Sequence, residues 1–206
     1  MDFGALIGVF LGVVLVNNFV FAQFLGICPF LGVSRKVDMA FGMGCAVTFV
    51  MTISGVVTWL IVHGLLTPIG AKLLGNPGAL YVLKYVVFIM VIAAMVQLVE
   101  MYLKKFFPAL YTAFGVFLPL ITTNCAILGA CLLIDMNETY QSSLLKSAIF
   151  AFGGGVGFAM AITIMAGIRE HLRYSNVPKA LQGAGITLLT ACILALAFQG
   201  FAGIGK

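Results

Sequence analysis

The stretch "FGMGCAVTFVMTI" at 41–53 returns, altered but in the same order, as "FGGGVGFAMAITI" at 152–164. Phe41 lines up with Phe152, Gly42 with Gly153, Gly44 with Gly155, and Thr52-Ile53 with Thr163-Ile164. Upstream of each copy lies a second match, "CPFLG" at 28–32 and "CAILG" at 125–129. Two matches in one order, with a little slack in the loop between them, read as an internal duplication. The plain alternative is chance similarity between glycine-rich apolar helices. What has been duplicated depends on the kind of chain this is.

Composition answers that question. Of 206 residues, 63% are hydrophobic and 8% charged, and the mean hydropathy is +1.18. A soluble domain carries about 25% charged residues, so the chain reads as an all-α integral membrane protein. The longest polar gap is about a dozen residues, which leaves no room for a soluble domain. The opening "MDFGALIGVF" starts on an acid and no A-x-A site follows, so no cleaved signal peptide is expected. The net charge of +5 is better read by location than as a nucleic-acid signal. Membrane lipid, not nucleic acid, is the expected surrounding. Five cysteines without paired spacing do not suggest a disulfide framework.

A spanning helix needs about 20 apolar residues. Six candidates appear, at about 4–33, 39–64, 81–103, 109–134, 147–168 and 183–204. The Gly-Asn-Pro-Gly run at 75–78 reads as a turn. The whole chain, 1–206, is then one transmembrane domain, with repeat one at about 1–105 and repeat two at about 106–206. Three spans per half is an odd number, which turns the second half over and predicts an inverted 3+3 repeat. Arg35, Lys36, Lys104, Lys105, Arg169, Arg173 and Lys179 fall in loops one, three and five. The positive-inside rule places those loops in the cytoplasm and both termini outside.

Two spans are interrupted. The first runs to about 30 residues, roughly 45 Å as a helix against a hydrocarbon core of about 30 Å. Its Asn17-Asn18 pair and its Cys28-Pro29 pair are the candidate breakpoints. The fourth span reads "FLPLITTNCAILGACLL" at 117–133 and carries Gly115, Pro119 and Thr122-Thr123-Asn124 ahead of Cys125. Breaks at matching places in two halves point to a site near the repeat axis. A buried cysteine is ordinarily a small hydrophobe, and Cys45, Cys131 and Cys192 take that reading. Cys28 and Cys125 differ because they are repeat equivalents beside a break. An iron–sulfur centre takes four ligands, so this pair would need two more from elsewhere. A zinc site or a disulfide stays open, without the support of a local C-x-x-C.

The residues also carry a resemblance. "LVNNFVFAQFLGICPFLGVSRK" at 15–36, "VQLVEM" at 96–101, "GVFLPLITTNCAILG" at 115–129 and "IREHLRYSNVP" at 168–178 closely resemble the RnfA subunits of the Rnf complex. That complex is an ion-translocating ferredoxin:NAD oxidoreductase of bacterial cytoplasmic membranes, and the resemblance runs over essentially the whole chain. The sister NqrE subunits of Na⁺-translocating NADH:quinone oxidoreductase usually depart from Asn17-Asn18, Pro29 and Thr123 as they stand here. They are the alternative within the same wider family, which also holds the RnfE and NqrD subunits. The resemblance implies that Cys28 and Cys125 each give a thiolate to a membrane-embedded [2Fe–2S] cluster. The paralogous RnfE-like subunit, in the opposite orientation, would give the other two. It further implies partners of the B, C, D and G types, whose flavin and iron–sulfur centres the cluster bridges, and coupling to Na⁺ or H⁺ movement.

Other polar residues have two readings each. Glu100 is the one acid well inside a span and is a candidate for ion coupling. An i,i+4 pair with Lys104 at the membrane edge is the favoured alternative. Asn17, Asn18, Thr122, Thr123 and Asn124, with Pro29 beside them, form the candidate cluster environment. They either donate to cluster sulfurs or satisfy backbone groups that a break sets free. Arg169, Glu170 and Arg173 read as a solvated face or a docking surface for a cytoplasmic subunit. His63 and His171 sit near span ends without metal-ligand company. The glycine runs at 42–44 and 153–155 read as close helix packing, since they lack the strand and the Lys-Ser/Thr of a phosphate loop. With no Rossmann, flavin or Walker motif, the chain alone should catalyse nothing. A stand-alone secondary transporter is the rival from another class, but it would want a more polar midplane.

Overall fold

Gly44 and Gly155 bring two long apolar helices into backbone contact, and the other elements gather round that seam. The computed structural model describes residues 3–66, 77–106, 121, 124–137, 140 and 142–202. Within them the chain runs α1 (Phe3–Leu11) into a π-helical turn (Gly12–Val16), then an irregular stretch, then α2 (Ile27–Val33). It continues through α3 (Val37–Ile61, with a π-helical turn Val62–Leu66), α4 (Pro77–Phe106), α5 (Cys125–Met136) and α6 (Leu144–Leu172). A 3-10 turn (Lys179–Leu181) leads to α7 (Ala184–Ala202). There is no strand among the described residues.

Among the described residues, three helices are long and apolar enough to cross a membrane: Val37–Gly64, Lys84–Tyr102 and Leu144–Leu172, of 28, 19 and 29 residues. Leu6–Val16, Cys125–Met136 and Ala184–Gly200 are shorter apolar helices. Helix α4 begins at Pro77, so the turn expected at 75–78 gives its last two residues to the helix. Proline suits a first helical position, because its missing N–H would have had no intrahelical acceptor. The first half of the fourth span, including Gly115 and Pro119, lies outside the described residues.

The seam between α3 and α6 is antiparallel and has no room for side chains. A Cβ on Gly44 would lie 2.7 Å from the Cβ and 2.8 Å from the Cα of Ala159. A Cβ on Gly155 would lie 2.6 Å from the Cα of Thr48. Under the alignment that matches Gly44 with Gly155, Ala159 is the counterpart of Thr48, so the two close approaches are reciprocal. The matched threonines agree as well: Thr52 Oγ1 donates to the Thr48 carbonyl and Thr163 Oγ1 to the Ala159 carbonyl, each at 2.7 Å. Further along, Gly55 faces Ala151, Gly154 faces the ring of Phe19, and Gly153 faces Phe10. The glycines therefore serve close packing, as their sequence setting predicts.

The first span breaks at one of its two candidate points. The regular helix stops at Asn17, whose N–H closes the π turn on the Gly12 carbonyl at 2.8 Å. Ten residues later the chain re-enters helix at Ile27, past Phe24 at φ 55° and Gly26 at φ 81°. Cys28-Pro29 is not a breakpoint. Pro29 stands in the first turn of α2, where N–H groups have no intrahelical acceptor and proline costs little. Buried Asn18 holds the break in place. Its Nδ2 donates to the Val14 carbonyl at 3.0 Å and the Gly157 carbonyl at 2.9 Å, and its Oδ1 accepts from Val20 N–H at 3.0 Å. Phe19, Phe21 and Phe30 then turn into the core beside Met43, Met51 and Phe158.

Candidate functional site: two cysteines at opposed helix starts

Cys125 is the first residue of α5 and Cys28 the second of α2. The two helices start from one place. The Gly26 N–H donates to Cys125 Sγ at 3.0 Å, and Cys28 follows Gly26 by two residues, at most about 8 Å of chain. From that place α2 runs towards Ser34 and Arg169, while α5 runs towards Asp135 and Lys84. Those are opposite ends of α3: Ser34 lies just ahead of its start at Val37, and Asp135 shares a small cavity with Val62 and His63 beyond its end. At 1.5 Å per residue, α5 carries Cys125 about 17 Å in from Met136. The thiols therefore sit between the two ends of the bundle.

Glycine at 26 is required twice over. Its φ of +81° disfavours any L side chain. A Cβ there would also lie 2.6 Å from the Phe158 ring and 3.3 Å from the Ala126 Cβ. On the facing helix, Gly129 leaves the space that the Leu25 side chain fills, at 2.5 Å from where its Cβ would be. Asn124 caps α5, its side-chain oxygen accepting from Ala126 N–H at 3.0 Å, which satisfies an amide the helix leaves open. Asn124 is 2% exposed, yet its Nδ2 has no hydrogen-bond partner. A buried donor without a partner costs about 1–3 kcal/mol, so this one asks for an acceptor.

Both cysteines are exposed, and so are Ala22, Gln23 and Phe24 of the break. Among the described residues, no three His, Cys, Asp or Glu side chains gather as a metal site would need. The arrangement is thus two accessible thiols, one amide already donating to sulfur and one idle amide nitrogen. These donors fit half of a four-thiolate centre, open towards whatever lies against this face. Gly26 and Gln23 went unremarked in the sequence. Gly26 looks there like any packing glycine, but the amide of Gln23 inside "FVFAQFLGI" is a polar group in an apolar run and could have been noticed.

The remaining candidates fall elsewhere. Both donor hydrogens of Asn18 Nδ2 are taken by carbonyls. Asn17 lines a cavity of about 340 Å³ between the break and α7, with Gln199 on its other wall. Pro29 is buried in α2, and Thr122 and Thr123 lie outside the described residues. Glu100 is half-buried on α4, one turn before Lys104. His63 stacks on Trp59, ring centroids 4.2 Å apart. Of the three cysteines assigned to packing, only Cys131 is buried, its Sγ accepting from Thr58 Oγ1 at 3.6 Å. Cys45 and Cys192 are exposed on helix surfaces, a correction with a simple cause: in lipid an apolar outer face looks like a core in sequence.

Comparison with known proteins agrees over nearly the full length. The family described as "Rnf-Nqr subunit, membrane protein" matches residues 6–205. The chain is 52% identical to the A-type subunit of the ion-translocating oxidoreductase complex of Syntrophotalea carbinolica, over 95% of each chain. It is 50% identical to the protein of the same name from an Azoarcus species, over 94% of each. The A-type subunit of the Na⁺-translocating ferredoxin:NAD⁺ oxidoreductase complex of Acetobacterium woodii is 48% identical, over 97% of each.

Proposed function

The chain belongs to the Rnf-Nqr family of membrane subunits, and from that premise we propose that it is the A-type member of an Rnf-type ion-translocating oxidoreductase complex. Its part there is to hold half of a [2Fe–2S] cluster inside the membrane, with Cys28 and Cys125 as the two thiolates it contributes. The observation that carries the reading is the Gly26 N–H to Cys125 Sγ bond at 3.0 Å, which sets both cysteines at opposed helix starts on an exposed face. When bound, such a cluster supplies one-electron transfer between centres on other subunits.

The residues of this chain do the positioning. Helix starts carry partial positive charge and favour a thiolate over a thiol. Gly26 N–H already donates to one sulfur, and the idle Nδ2 of Asn124 is a second donor within the same cap. Such hydrogen bonds stabilise the more negative, reduced state and raise a cluster's potential. A helix break facing lipid would cost several kcal/mol for each backbone group left open. Covering Gln23, Phe24 and the thiols therefore falls to a second membrane protein, and an RnfE-like paralogue with two cysteines would complete the count.

The same premise extends to the architecture and its setting. The reciprocal Gly44–Ala159 and Gly155–Thr48 approaches support six spans arranged as an inverted 3+3 repeat. Arg35, Arg169 and Arg173 meet at one end of α3, which supports a cytoplasmic placement of that end in a bacterial inner membrane, with both termini outside. Whether Na⁺ moves, as the name of the Acetobacterium woodii relative states for that protein, is a matter for ion-flux measurement. The test of the cluster is iron analysis with EPR on the purified, reduced complex. A reducible two-iron signal is expected, and an iron-free complex that still passes electrons would overturn the reading.

A further inference from the structure

The arginine-bearing end of α6 holds a second polar feature, separate from the cysteines. A cavity of about 410 Å³ is lined by Arg35, Arg169 and Arg173, with Gln182, Gly183 and Thr187 on its far wall. None of the three guanidinium groups has a carboxylate partner among the described residues, and all three residues line the same cavity. Arg169 is held in place. Its Nη1 donates to the Leu31 carbonyl at 2.9 Å and to Ser34 Oγ at 2.7 Å. Its Nε and Nη2 have no protein acceptor among the described residues. Arg173 Nη2 donates to the Arg35 carbonyl at 3.1 Å. Three like charges thus line one cavity, two of them anchored, with no carboxylate among its lining residues.

The far wall is the start of α7, whose first amides lack intrahelical acceptors and favour an anion. From it a stripe of apolar side chains leads away. Ile186 lines the cavity, and Leu189, Ile193 and Leu196 follow at helical spacing, 46%, 58% and 69% exposed. In a chain that spans a membrane, this stripe faces hydrocarbon. Guanidinium groups match phosphate oxygens in a bidentate fork, and basic pockets between helices at the cytoplasmic end of a bundle suit anionic headgroups.

We propose that this cavity binds the phosphate of an anionic phospholipid, with an acyl chain lying along Ile186, Leu189, Ile193 and Leu196. A free phosphate would use the arginines but leave the stripe without purpose. The proposal does not depend on the cluster and would survive its failure.

The test uses the whole complex, purified in mild detergent, delipidated and titrated with phosphatidylglycerol or phosphatidylcholine, with bound lipid read by native mass spectrometry. Phosphatidylglycerol should be retained and phosphatidylcholine should not. Arg173→Gln should weaken retention about fivefold, and Arg35→Gln with Arg173→Gln about 25-fold. Leu189→Asn should weaken it without touching a charge. Arg169→Gln is the poorer variant, because Arg169 also ties α6 to α2. Unchanged retention in the Arg173 and Leu189 variants would overturn the proposal. So would displacement of the lipid by inorganic phosphate mole for mole, which would make this a free-anion site. A cross-link from Gln182→Cys to another protein of the lipid-free complex would likewise assign the cavity to a protein partner.

Discussion

The α3–α6 seam and the cysteine break are built from the same materials and end differently. Both depend on glycines at close approaches, Gly44 and Gly155 in one, Gly26 and Gly129 in the other. Both join the two halves of the chain. The seam closes on itself, with Ala159 against Gly44 and Thr48 against Gly155. The break stays open: its thiols are exposed, one amide nitrogen is idle, and its backbone is only partly covered. The chain thus completes its packing alone and leaves its chemistry for a neighbour to finish. Stability should be sensitive to substitutions in the seam and at Asn18, while substitutions at the sulfurs should alter function with little effect on folding.

That contrast can be broken at several points. The largest loss of stability is expected at Asn18, where Asn18→Leu strands the Val20 amide inside the bundle and takes the side-chain donors from the Val14 and Gly157 carbonyls. At about 1–3 kcal/mol for each stranded group, the thermal midpoint of the purified complex should collapse. A variant as stable as the parent would mean the break is held by something else. Next comes Gly155→Val, which drives a side chain against the Thr48 backbone. Overpacking of this kind costs about 1–3 kcal/mol or more, and Gly44→Val should match it if the two approaches are equivalent. A large difference between the two would argue against reciprocity.

Smaller effects sharpen the other side. Asn124→Ala removes a cap worth about 1 kcal/mol and the idle donor with it. Thermal melting should shift slightly and the cluster's midpoint potential should fall, whereas a purely structural cap would leave the potential unmoved. Smallest of all, Cys45→Ser and Cys192→Ser should change neither stability nor electron transfer, since both side chains are exposed and have no hydrogen-bond partner among the described residues. A loss of electron transfer in either would show that the wrong thiols have been singled out.

Much of this was legible in the chain itself, and the reasons are physical. The duplicated glycines could be matched because a backbone contact tolerates nothing else, so the pattern Gly44–Gly155 and Thr52–Thr163 stands out against freely exchangeable apolar residues. The break at Asn17-Asn18 was visible because two amides have no business in hydrocarbon unless they serve backbone groups. Cys28-Pro29 misled because proline looks the same at the end of a helix and in its first turn. Gly26 was hidden because a left-handed turn and a close approach use the same residue. Cys45 and Cys192 were misplaced because a lipid-facing surface and a core have the same composition. The meeting of Cys125 with Gly26 could not be read from spacing at all, since it joins residues 99 apart in sequence.

The most direct measurement is EPR, with iron quantified, on the reduced complex carrying Cys28→Ser or Cys125→Ser, set beside Cys131→Ser. Loss of a two-iron signal in the first two and its survival in the third is the predicted result. A signal that persists in both, or that falls equally in all three, would contradict the assignment of Cys28 and Cys125 as ligands.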